Sequence, residues 1–495
     1  MEKTSSTSSK KVVFNSVIYT VSGLLQKCAS FFLLPLYTAY LTTEDYGITN
    51  LASNFIQTFS FVVAFSLFSA ILRFYVDLKE NVEKLKRFYG TIFSFIFVSG
   101  ILFFVIFSLS KTIISKVFFG NVDYFPIIFI CLLSLIFNCL HTAYINVLKS
   151  QQRAIKSSIV SFISFLFQLC LNIIFVVPLN MGAVGVLLAT LISNVVFFAF
   201  VMMDLLYSKM IKICFDFELL KSALKYSIPI MPHNLSTRIA ILVSSVLIGN
   251  IESLGALGVF SVSMQFGNLA DLIQCYVASA YGPWLYEKLK SGAVENKENV
   301  RKTVYLLVSL IGFLFIGLSL FSQDYIILCV DKEFVSAWKY VPLIVVSYTI
   351  KTMYYFYVEI LFYNKEASKK LFIATLTSSF LNVISSAFLI PNIGVYGSIL
   401  SDAFSILVCN TIVIAISGRY GNIGLKFFDF LKSMIVTIFF IFIGLSLSYL
   451  VFGDTFSICN FVYKIFIILT YMIIVWLKFN AEIKILLNKG RKKNA

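Results

Sequence analysis

Residues 12–47 read VVFNSVIYTVSGLLQKCASFFLLPLYTAYLTTEDYG. The stretch is mostly apolar and longer than the about 20 residues that an α-helix needs to cross a bilayer. Lys27 lies near its middle, Pro35 interrupts it, and the acidic turn around Asp45 ends it. A lysine at that depth costs roughly 2.5–3.5 kcal/mol to insert, and such residues usually face a bundle interior or a water-filled cavity. The stretch therefore predicts a membrane helix whose lysine faces the interior of a helix bundle or a water-filled cavity.

The sequence contains an internal repeat. A second long apolar stretch places Arg238 at a spacing of 211 residues from Lys27, and other residues recur at the same spacing. The pairs are Lys27 with Arg238, Gly47 with Gly258, Tyr75 with Tyr286, and, at a spacing of 212, Gly182 with Gly394 and Gly185 with Gly397. Because these matches keep nearly one register, they predict a duplicated unit of roughly 210 residues.

Composition indicates a membrane protein, because 59% of the residues are hydrophobic and only 13% are charged. Long apolar runs recur along the whole chain, and they are continuous rather than alternating, which favours helices over a barrel. The fourteen runs are about 12–38, 46–72, 88–110, 124–148, 157–178, 183–206, 222–250, 257–286, 300–321, 341–363, 370–390, 395–417, 428–452 and 458–478. We therefore predict an all-α membrane protein of about fourteen transmembrane helices.

The net charge of +16 is distributed unevenly between the two sets of connections. One set, with the two ends of the chain, holds 32 of the 40 Lys and Arg residues, whereas the opposite set holds four: Lys111, Lys116, Lys332 and Lys339. This asymmetry follows the positive-inside rule and predicts that both termini are cytoplasmic. The basic surplus therefore reflects topology and anionic lipid headgroups as neighbours, not nucleic acid.

No enzymatic motif is apparent. The nine cysteines are scattered without a CxxC pair, and the chain lacks GxxxxGK[ST], HExxH and GxSxG motifs. The predicted connections are short, the longest outward one being Ser322 to Tyr340, so no soluble catalytic domain is inserted. We predict no enzyme activity, no cofactor and no metal site.

Four cations lie within predicted spans: Lys27, Arg238, Lys351 and Lys464. Lys464 lies near the outer end of the last helix, and we expect it to extend to the interface. The other three have two interpretations. They form ion pairs that join helices, or they line a cavity and bind an anion. Repeat-related placement of Lys27 and Arg238 favours the cavity, with Lys351 as a third member.

Three intramembrane carboxylates accompany these cations: Asp271, Glu359 and Asp402. They either couple transport to H⁺ or Na⁺ or compensate the cations, and the sequence leaves both interpretations open.

Prolines interrupt the helices that carry these groups, at Pro35, Pro229, Pro232 and Pro283. Because proline removes a backbone hydrogen bond, each position predicts a kink, and we expect these kinks to act as hinges. Pro283 is also expected to end its helix.

The pattern from Pro35-Leu-Tyr37 to Asp45-Tyr46-Gly47 resembles the first-helix signature of the bacterial polysaccharide flippase family. That family belongs to the multidrug/oligosaccharidyl-lipid/polysaccharide exporter superfamily. The resemblance covers about residues 12–480, with one departure: many members carry an Asp-Arg pair late in the seventh helix, where this chain has Ser244-Ser245. Further matching motifs are Arg73-Phe-Tyr75, Pro229-Ile-Met-Pro232-His233, Gly258-Val-Phe-Ser261, Gly282-Pro283-Trp284-Leu-Tyr286, Val341-Pro342-Leu343, Asn382 and Pro391-Asn-Ile-Gly394-Val-Tyr-Gly397.

The resemblance implies two pseudo-symmetric six-helix lobes, 12–218 and 219–426, that face each other around a central cavity. It adds helices 13 and 14 over 427–480. The Ser-rich start of the sequence predicts a disordered cytoplasmic tail at 1–11, and its Lys- and Arg-rich end predicts a basic cytoplasmic tail at 481–495. The implied cargo is an oligosaccharide repeat unit on polyprenyl diphosphate, flipped from the inner to the outer leaflet of the cytoplasmic membrane for surface polysaccharide such as O-antigen or capsule. Membrane lipids, a polysaccharide polymerase and a chain-length regulator are the implied partners.

Two alternatives remain at this stage. An ion-coupled exporter of small molecules has the same fold, although the predicted cationic cavity disfavours cationic cargo. A membrane-embedded glycan polymerase or ligase belongs to another class, and the short predicted loops argue against it.

Overall fold

In the computed structural model every regular element of the described chain is helical. The structure describes the backbone of residues 2–212, 214–290, 297–420 and 425–493. It describes the side chains of these residues except 2–14, 16, 17, 290, 299, 365 and 481–493. The side chains of the predicted tails, 1–11 and 481–495, therefore lie outside the described residues, and the disorder and charge of these tails stay predictions.

The described residues form eighteen α-helices, joined by short turns. The helices are α1 (Glu2–Phe32), α2 (Leu34–Tyr40), α3 (Thr43–Val63), α4 (Leu67–Leu78), α5 (Val82–Leu109), α6 (Lys111–Phe118), α7 (Phe129–Ser150), α8 (Ala154–Val176), α9 (Gly182–Tyr207), α10 (Phe217–Ile251), α11 (Leu254–Lys290), α12 (Lys297–Cys329), α13 (Val341–Tyr363), α14 (Lys365–Ser368), α15 (Leu371–Ile393), α16 (Val395–Tyr420), α17 (Phe427–Leu447) and α18 (Ile458–Lys493). Two π-helical turns, Tyr124–Ile128 and Ser448–Phe452, and a 3₁₀ helix, Lys332–Lys339, complete the described elements.

The all-α membrane fold is confirmed, and each of the fourteen predicted spans coincides with helical residues. Within the described chain, 11 helices are long and apolar enough to cross a membrane. The number rises to 12 when α3 and α4, bent by 47° at their junction, are counted as one broken span. The two other predicted spans are helical as well: α1, and α13, whose polar content includes Lys351 and Glu359.

The chain forms two compact units, Met1–Gly258 and Val259–Ala495. The first unit includes α10, which the predicted boundary at 218/219 assigns to the second lobe. The predicted lobes follow the sequence repeat rather than packing, so that boundary stays a prediction.

In the first unit, α7 forms the centre and packs on α3, α4, α5 and α9. The start of α3 is held by side-chain hydrogen bonds. Thr42 and Asp45 form a capping box, and Asp45 Oδ1 also accepts from the backbone N–H of Ala183 at 2.9 Å. One carboxylate therefore joins the starts of α3 and α9.

The repeat-related residues Gly47 and Gly258 meet in a self-complementary crossing, which we call the glycine crossing: Thr43 and Gly47 against Leu254 and Gly258. A Cβ added to Gly47 would lie 1.9 Å from the carbonyl oxygen of Leu254. A Cβ added to Gly258 would lie 1.9 Å from the carbonyl oxygen of Thr43. Repeat-equivalent residues therefore contact each other across this crossing, and only glycine allows backbones this close.

In the second unit, α13 packs on α12, α16 and α17, while α12 also packs on α18. Lys464 on α18 is fully buried and forms an ion pair with Asp324 on α12, Nζ to Oδ2 2.8 Å. The prediction that Lys464 extends to the interface is therefore wrong. It overlooked Asp324, whose carboxylate makes a buried lysine tolerable.

Two predicted boundaries are also wrong. The predicted outward loop from Ser322 to Tyr340 is largely helical, because α12 continues to Cys329 and the 3₁₀ helix Lys332–Lys339 follows. Its polar residues Gln323 and Asp324 are buried, not solvated. Pro283 does not end its helix either, since α11 continues to Lys290.

Candidate functional site

A polar stripe runs along α3 in the first unit. It consists of Asn50, Ser53, Asn54 and Gln57, which the helical repeat places on one side of α3. Ser53 and Gln57 are exposed and hydrogen-bonded to each other, Nε2 to Oγ 3.1 Å, and Asn54 donates to Asn50 at 2.9 Å. Amide and hydroxyl groups of this kind both donate and accept hydrogen bonds, which suits a polyhydroxylated ligand.

Arg238 on α10 joins this stripe. The helices α3 and α10 pack together, and Arg238 Nη1 donates to Gln57 Oε1 at 2.6 Å. Thr58 on α3 also donates to the backbone carbonyl of Arg238, at 3.3 Å. These bonds position the guanidinium beside the stripe.

The charge of Arg238 is not neutralised within its own unit. Its side chain is exposed, and among the described residues of the first unit its hydrogen-bond partner is a neutral amide and no carboxylate pairs with it. A guanidinium has five N–H donors, so after the bond to Gln57 others remain for an anionic ligand. N–H donors of a guanidinium are among the groups that bind phosphate oxygens most strongly in proteins.

Lys27 on α1 is also exposed, and no described residue of the first unit forms an ion pair or hydrogen bond with it. It lies beside a second polar stripe, Ser22, Gln26 and Ser30, in which Gln26 donates to Ser22 at 3.4 Å and Ser30 donates to the Gln26 carbonyl at 3.0 Å. Lys27 and Arg238 therefore share one property: each is an exposed cation in a predicted membrane span, and no described carboxylate of the first unit pairs with it.

Lys351 differs from them. In the second unit its Nζ lies 2.7 Å from Asp271 Oδ1, and Tyr355 donates to the same oxygen at 2.9 Å. The ammonium also lies over the rings of Tyr348 and Tyr355, 5.1 and 5.7 Å from their centroids. Asp271 therefore forms an ion pair with Lys351, while the choice between ion coupling and charge compensation for Asp271 stays a prediction.

The other two predicted acids lie in the same unit. Asp402 on α16 interacts electrostatically with both Lys351 and Asp271. Glu359 on α13 accepts a hydrogen bond from the Tyr286 hydroxyl and lies against Gly282 on α11. The choice between ion coupling and charge compensation for Glu359 and Asp402 stays a prediction.

The predicted hinge prolines occupy different backbone settings. Pro35 lies at the start of α2, directly after α1 ends at Phe32. Pro229 and Pro232 lie inside α10, and Pro283 lies inside α11. Movement at these positions stays a prediction.

Comparison with known proteins decides the family. A family model described as polysaccharide biosynthesis protein matches residues 39–341. The chain belongs to this family. The match covers more than half of the chain and includes α3, α10 and the glycine crossing. It confirms the resemblance on which the predicted fold and family were based.

Three proteins resemble this polysaccharide biosynthesis family member, and the two solved structures among them share its fold. An uncharacterized membrane protein of Haemophilus influenzae is 24% identical over 374 residues, covering 74% of this chain and 88% of the relative. The lipid II flippase MurJ in an inward closed conformation matches with a TM-score of 0.71 at 14% identity, over 94% of this chain and 99% of that chain. A MATE protein in complex with Br-NRF matches with a TM-score of 0.51 at 17% identity, over 83% of this chain and 95% of that chain.

These findings make the family member a multi-pass membrane protein with the fold of known transporters, and its family and structural neighbours agree with the prediction that it is not an enzyme. Many members of the family that the sequence resembles carry an Asp-Arg pair late in their seventh membrane helix, which corresponds to α10 here. This chain has Ser244-Ser245 at that place. Ser245 accepts a hydrogen bond from Asn54 at 2.9 Å, so a neutral contact joins α10 to α3 at this level.

The α3 stripe carries no charge, so the intramembrane charges alone do not identify it. Its signal is nonetheless present, because Asn50, Ser53, Asn54 and Gln57 have the i, i+3, i+4, i+7 spacing of one helix face. A search for polar residues at helical spacing inside apolar runs would have found it.

Proposed function

We propose that this protein flips polyprenyl-diphosphate-linked oligosaccharides from the inner to the outer leaflet of the cytoplasmic membrane, by alternating access, for surface polysaccharide assembly. One observation carries the proposal: Arg238 is an exposed guanidinium inside a membrane helix, bound to the neutral Gln57 and uncompensated in its unit. An uncompensated charge in that setting is costly, and an anionic ligand removes the cost.

The chemistry of the cargo fits the two kinds of group at this site. A diphosphate needs cationic donors to cross a low-dielectric region, and Arg238 and Lys27 provide them. A glycan needs hydrogen-bond donors and acceptors, and the α3 stripe provides them beside Arg238. Lys351, whose charge Asp271 balances, has a smaller part in binding the diphosphate than the sequence suggested.

The alternative of a small-molecule exporter rests on the same fold and predicts a different cargo. MATE proteins share the fold at TM-scores just above 0.5. An uncompensated arginine would repel a cationic compound, so the site favours the anionic, lipid-linked cargo. Coupling to H⁺ or Na⁺ is compatible with either cargo.

The test compares Arg238→Ala with Arg238→Lys in cells that depend on the protein for surface polysaccharide. We expect Arg238→Ala to weaken cargo binding about ten- to a hundred-fold, the effect of one charge-assisted contact, and Arg238→Lys to keep much of the activity. The readouts are accumulated lipid-linked oligosaccharide, surface polysaccharide and the amount of protein in the membrane.

The matched control neutralises an exposed balanced pair in the second unit, Lys369→Ala with Glu366→Ala, which lies outside the proposed site. This double variant removes one cation and one anion, so export should continue. Normal export by Arg238→Ala, at normal abundance, would contradict the proposal. Export of a cationic dye that depends on Arg238, without precursor accumulation, would favour the small-molecule alternative.

A further inference from the structure

A cavity of about 830 Å³ lies in the first unit, where the first part of α1 approaches α8 and α9. Asn15 on α1 contributes to its wall and donates to the carbonyl of Gln152, in the turn before α8, at 3.4 Å. This cavity is separate from Arg238, Lys27 and the α3 stripe, none of which lines it.

The polar end of the cavity carries a net positive charge. Arg153 and Lys156 both line it. Lys156 pairs with Asp204, Nζ to Oδ1 2.6 Å, and Tyr144 donates to the other oxygen of Asp204 at 2.7 Å, so this lysine is balanced. Arg153 is exposed, and no described carboxylate of the first unit forms an ion pair with it. One guanidinium is therefore left for an anion.

The other described lining residues of the cavity are apolar. Ile155, Ile159 and Ile163 are spaced by four residues along α8, so they form one continuous row, and all three are exposed. Val196 and Phe200 on α9 form the opposite wall. A row of this kind suits a hydrocarbon chain that runs along the helix.

We propose that this cavity binds one anionic membrane phospholipid, with its phosphate on Arg153 and an acyl chain along the row from Ile155 to Ile163. The connection from Lys149 to Lys156 belongs to the basic set that topology predicts to be cytoplasmic, where anionic headgroups are abundant. A basic end next to an apolar row between membrane helices is complementary in charge and polarity to such a lipid.

The occupant is a bilayer phospholipid and not the cargo. Among the described lining residues the cavity offers one guanidinium without a described counter-charge and two neutral amides, Asn15 and Gln152, and these residues form no row of amides and hydroxyls of the kind that a glycan requires. Because Asn15 links α1 to the turn before α8, the lipid stabilises the packing of α1 on α8, and α1 also carries Lys27.

The experiment measures lipid binding to the purified full-length protein by native mass spectrometry, with phosphatidylglycerol and phosphatidylcholine as probes. We expect one phosphatidylglycerol to bind at least about tenfold more tightly than phosphatidylcholine, and Arg153→Gln to remove this preference. Ile159→Trp, which fills the apolar row, should weaken both lipids.

Lys149→Glu is the matched control, because it changes charge in the same connection but outside the cavity, and it should retain the preference. Equal binding of the two phospholipids, or an unchanged preference in Arg153→Gln, would overturn the proposal. Polyprenyl phosphate serves as a third probe. If it binds in an Arg153-dependent manner more tightly than phosphatidylglycerol, the cavity serves the cargo carrier and the proposal is wrong.

Discussion

At the scale of single residues, the four intramembrane cations differ in what neutralises them. Lys464 has Asp324 and Lys351 has Asp271, each within 2.8 Å. Arg238 has the neutral amide of Gln57, and Lys27 has no partner among the described residues of its unit. A charge inside an apolar helix is costly unless something offsets it, so we expect the two balanced pairs to contribute to stability. The anionic cargo that we propose would offset the charges of the other two cations.

The buried pair of Lys464 and Asp324 gives the first prediction. Lys464 is fully buried and also donates to Gln323 at 2.6 Å, in a network that joins α12 to α18. Removing one partner strands the other charge, so Lys464→Ala should lower the free energy of unfolding by about 3–5 kcal/mol. The double variant Lys464→Met with Asp324→Leu should recover most of this loss, as measured by denaturation in detergent.

The pair of Lys339 and Asp454 is the control in the same unit. Its side chains are 37% and 49% exposed, so Lys339→Ala should cost less than about 1 kcal/mol. A single Lys464 variant as stable as the Lys339 variant would show that the buried pair contributes nothing.

The sequence predicted the cations but not their partners. Lys27 and Arg238 were apparent because a charge inside an apolar run is conspicuous. Asp324 lies 140 residues before Lys464 and follows the predicted end of its span, so it was assigned to a loop. Pairing between distant helices depends on packing, which a single sequence does not contain.

At the scale of helices, the glycine crossing gives the second prediction. Gly47→Ala and Gly258→Ala each place a methyl group 1.9 Å from a carbonyl oxygen, so the two backbones must separate. Overpacking of this kind costs roughly 1–3 kcal/mol. Both variants should therefore unfold at lower denaturant concentration than wild type.

The double variant tests whether the two glycines form one crossing. Once the first methyl group has separated the backbones, the second has space, so the combined loss of stability should be less than the sum of the single losses. Gly418→Ala on α16 is the control, because its added Cβ meets nothing within 4 Å and alanine favours a helix. Additive losses would contradict a shared crossing.

Helices were predicted well from sequence because apolar runs of sufficient length have one stable form in a bilayer. Their ends were predicted less well. Pro283 suggested an end where α11 continues to Lys290, since a membrane helix tolerates proline. The repeat identified Gly47 and Gly258 as equivalent, but their contact became apparent only from the structure, in which the first residues of α3 and of α11 meet.

At the scale of the whole molecule, the third prediction concerns which connections face the cytoplasm. The uneven distribution of Lys and Arg predicts that the basic connections and both termini are cytoplasmic. Single cysteines at Glu44 and Lys332 should react with an impermeant thiol reagent added from outside. Cysteines at Lys84 and Lys369 should react only after the membrane is opened. All four positions are exposed, so burial does not interfere, and the nine native cysteines must first be replaced.

The reverse labelling pattern would place the basic connections outside the cell and end the topological model. It would also place Arg153 in the outer leaflet, where the proposed phospholipid site would face other headgroups. The proposed phospholipid site therefore depends on the predicted topology.

The family and the fold support a transporter, and its cargo is the central claim. The most direct measurement follows a labelled polyprenyl-diphosphate oligosaccharide in liposomes that contain the purified protein. We predict that wild-type protein and Arg238→Lys make the inner-leaflet glycan accessible to an external glycosidase, while Arg238→Ala slows this at least about tenfold. Equal rates in all three proteins, or no glycan transfer by wild type, would contradict the account.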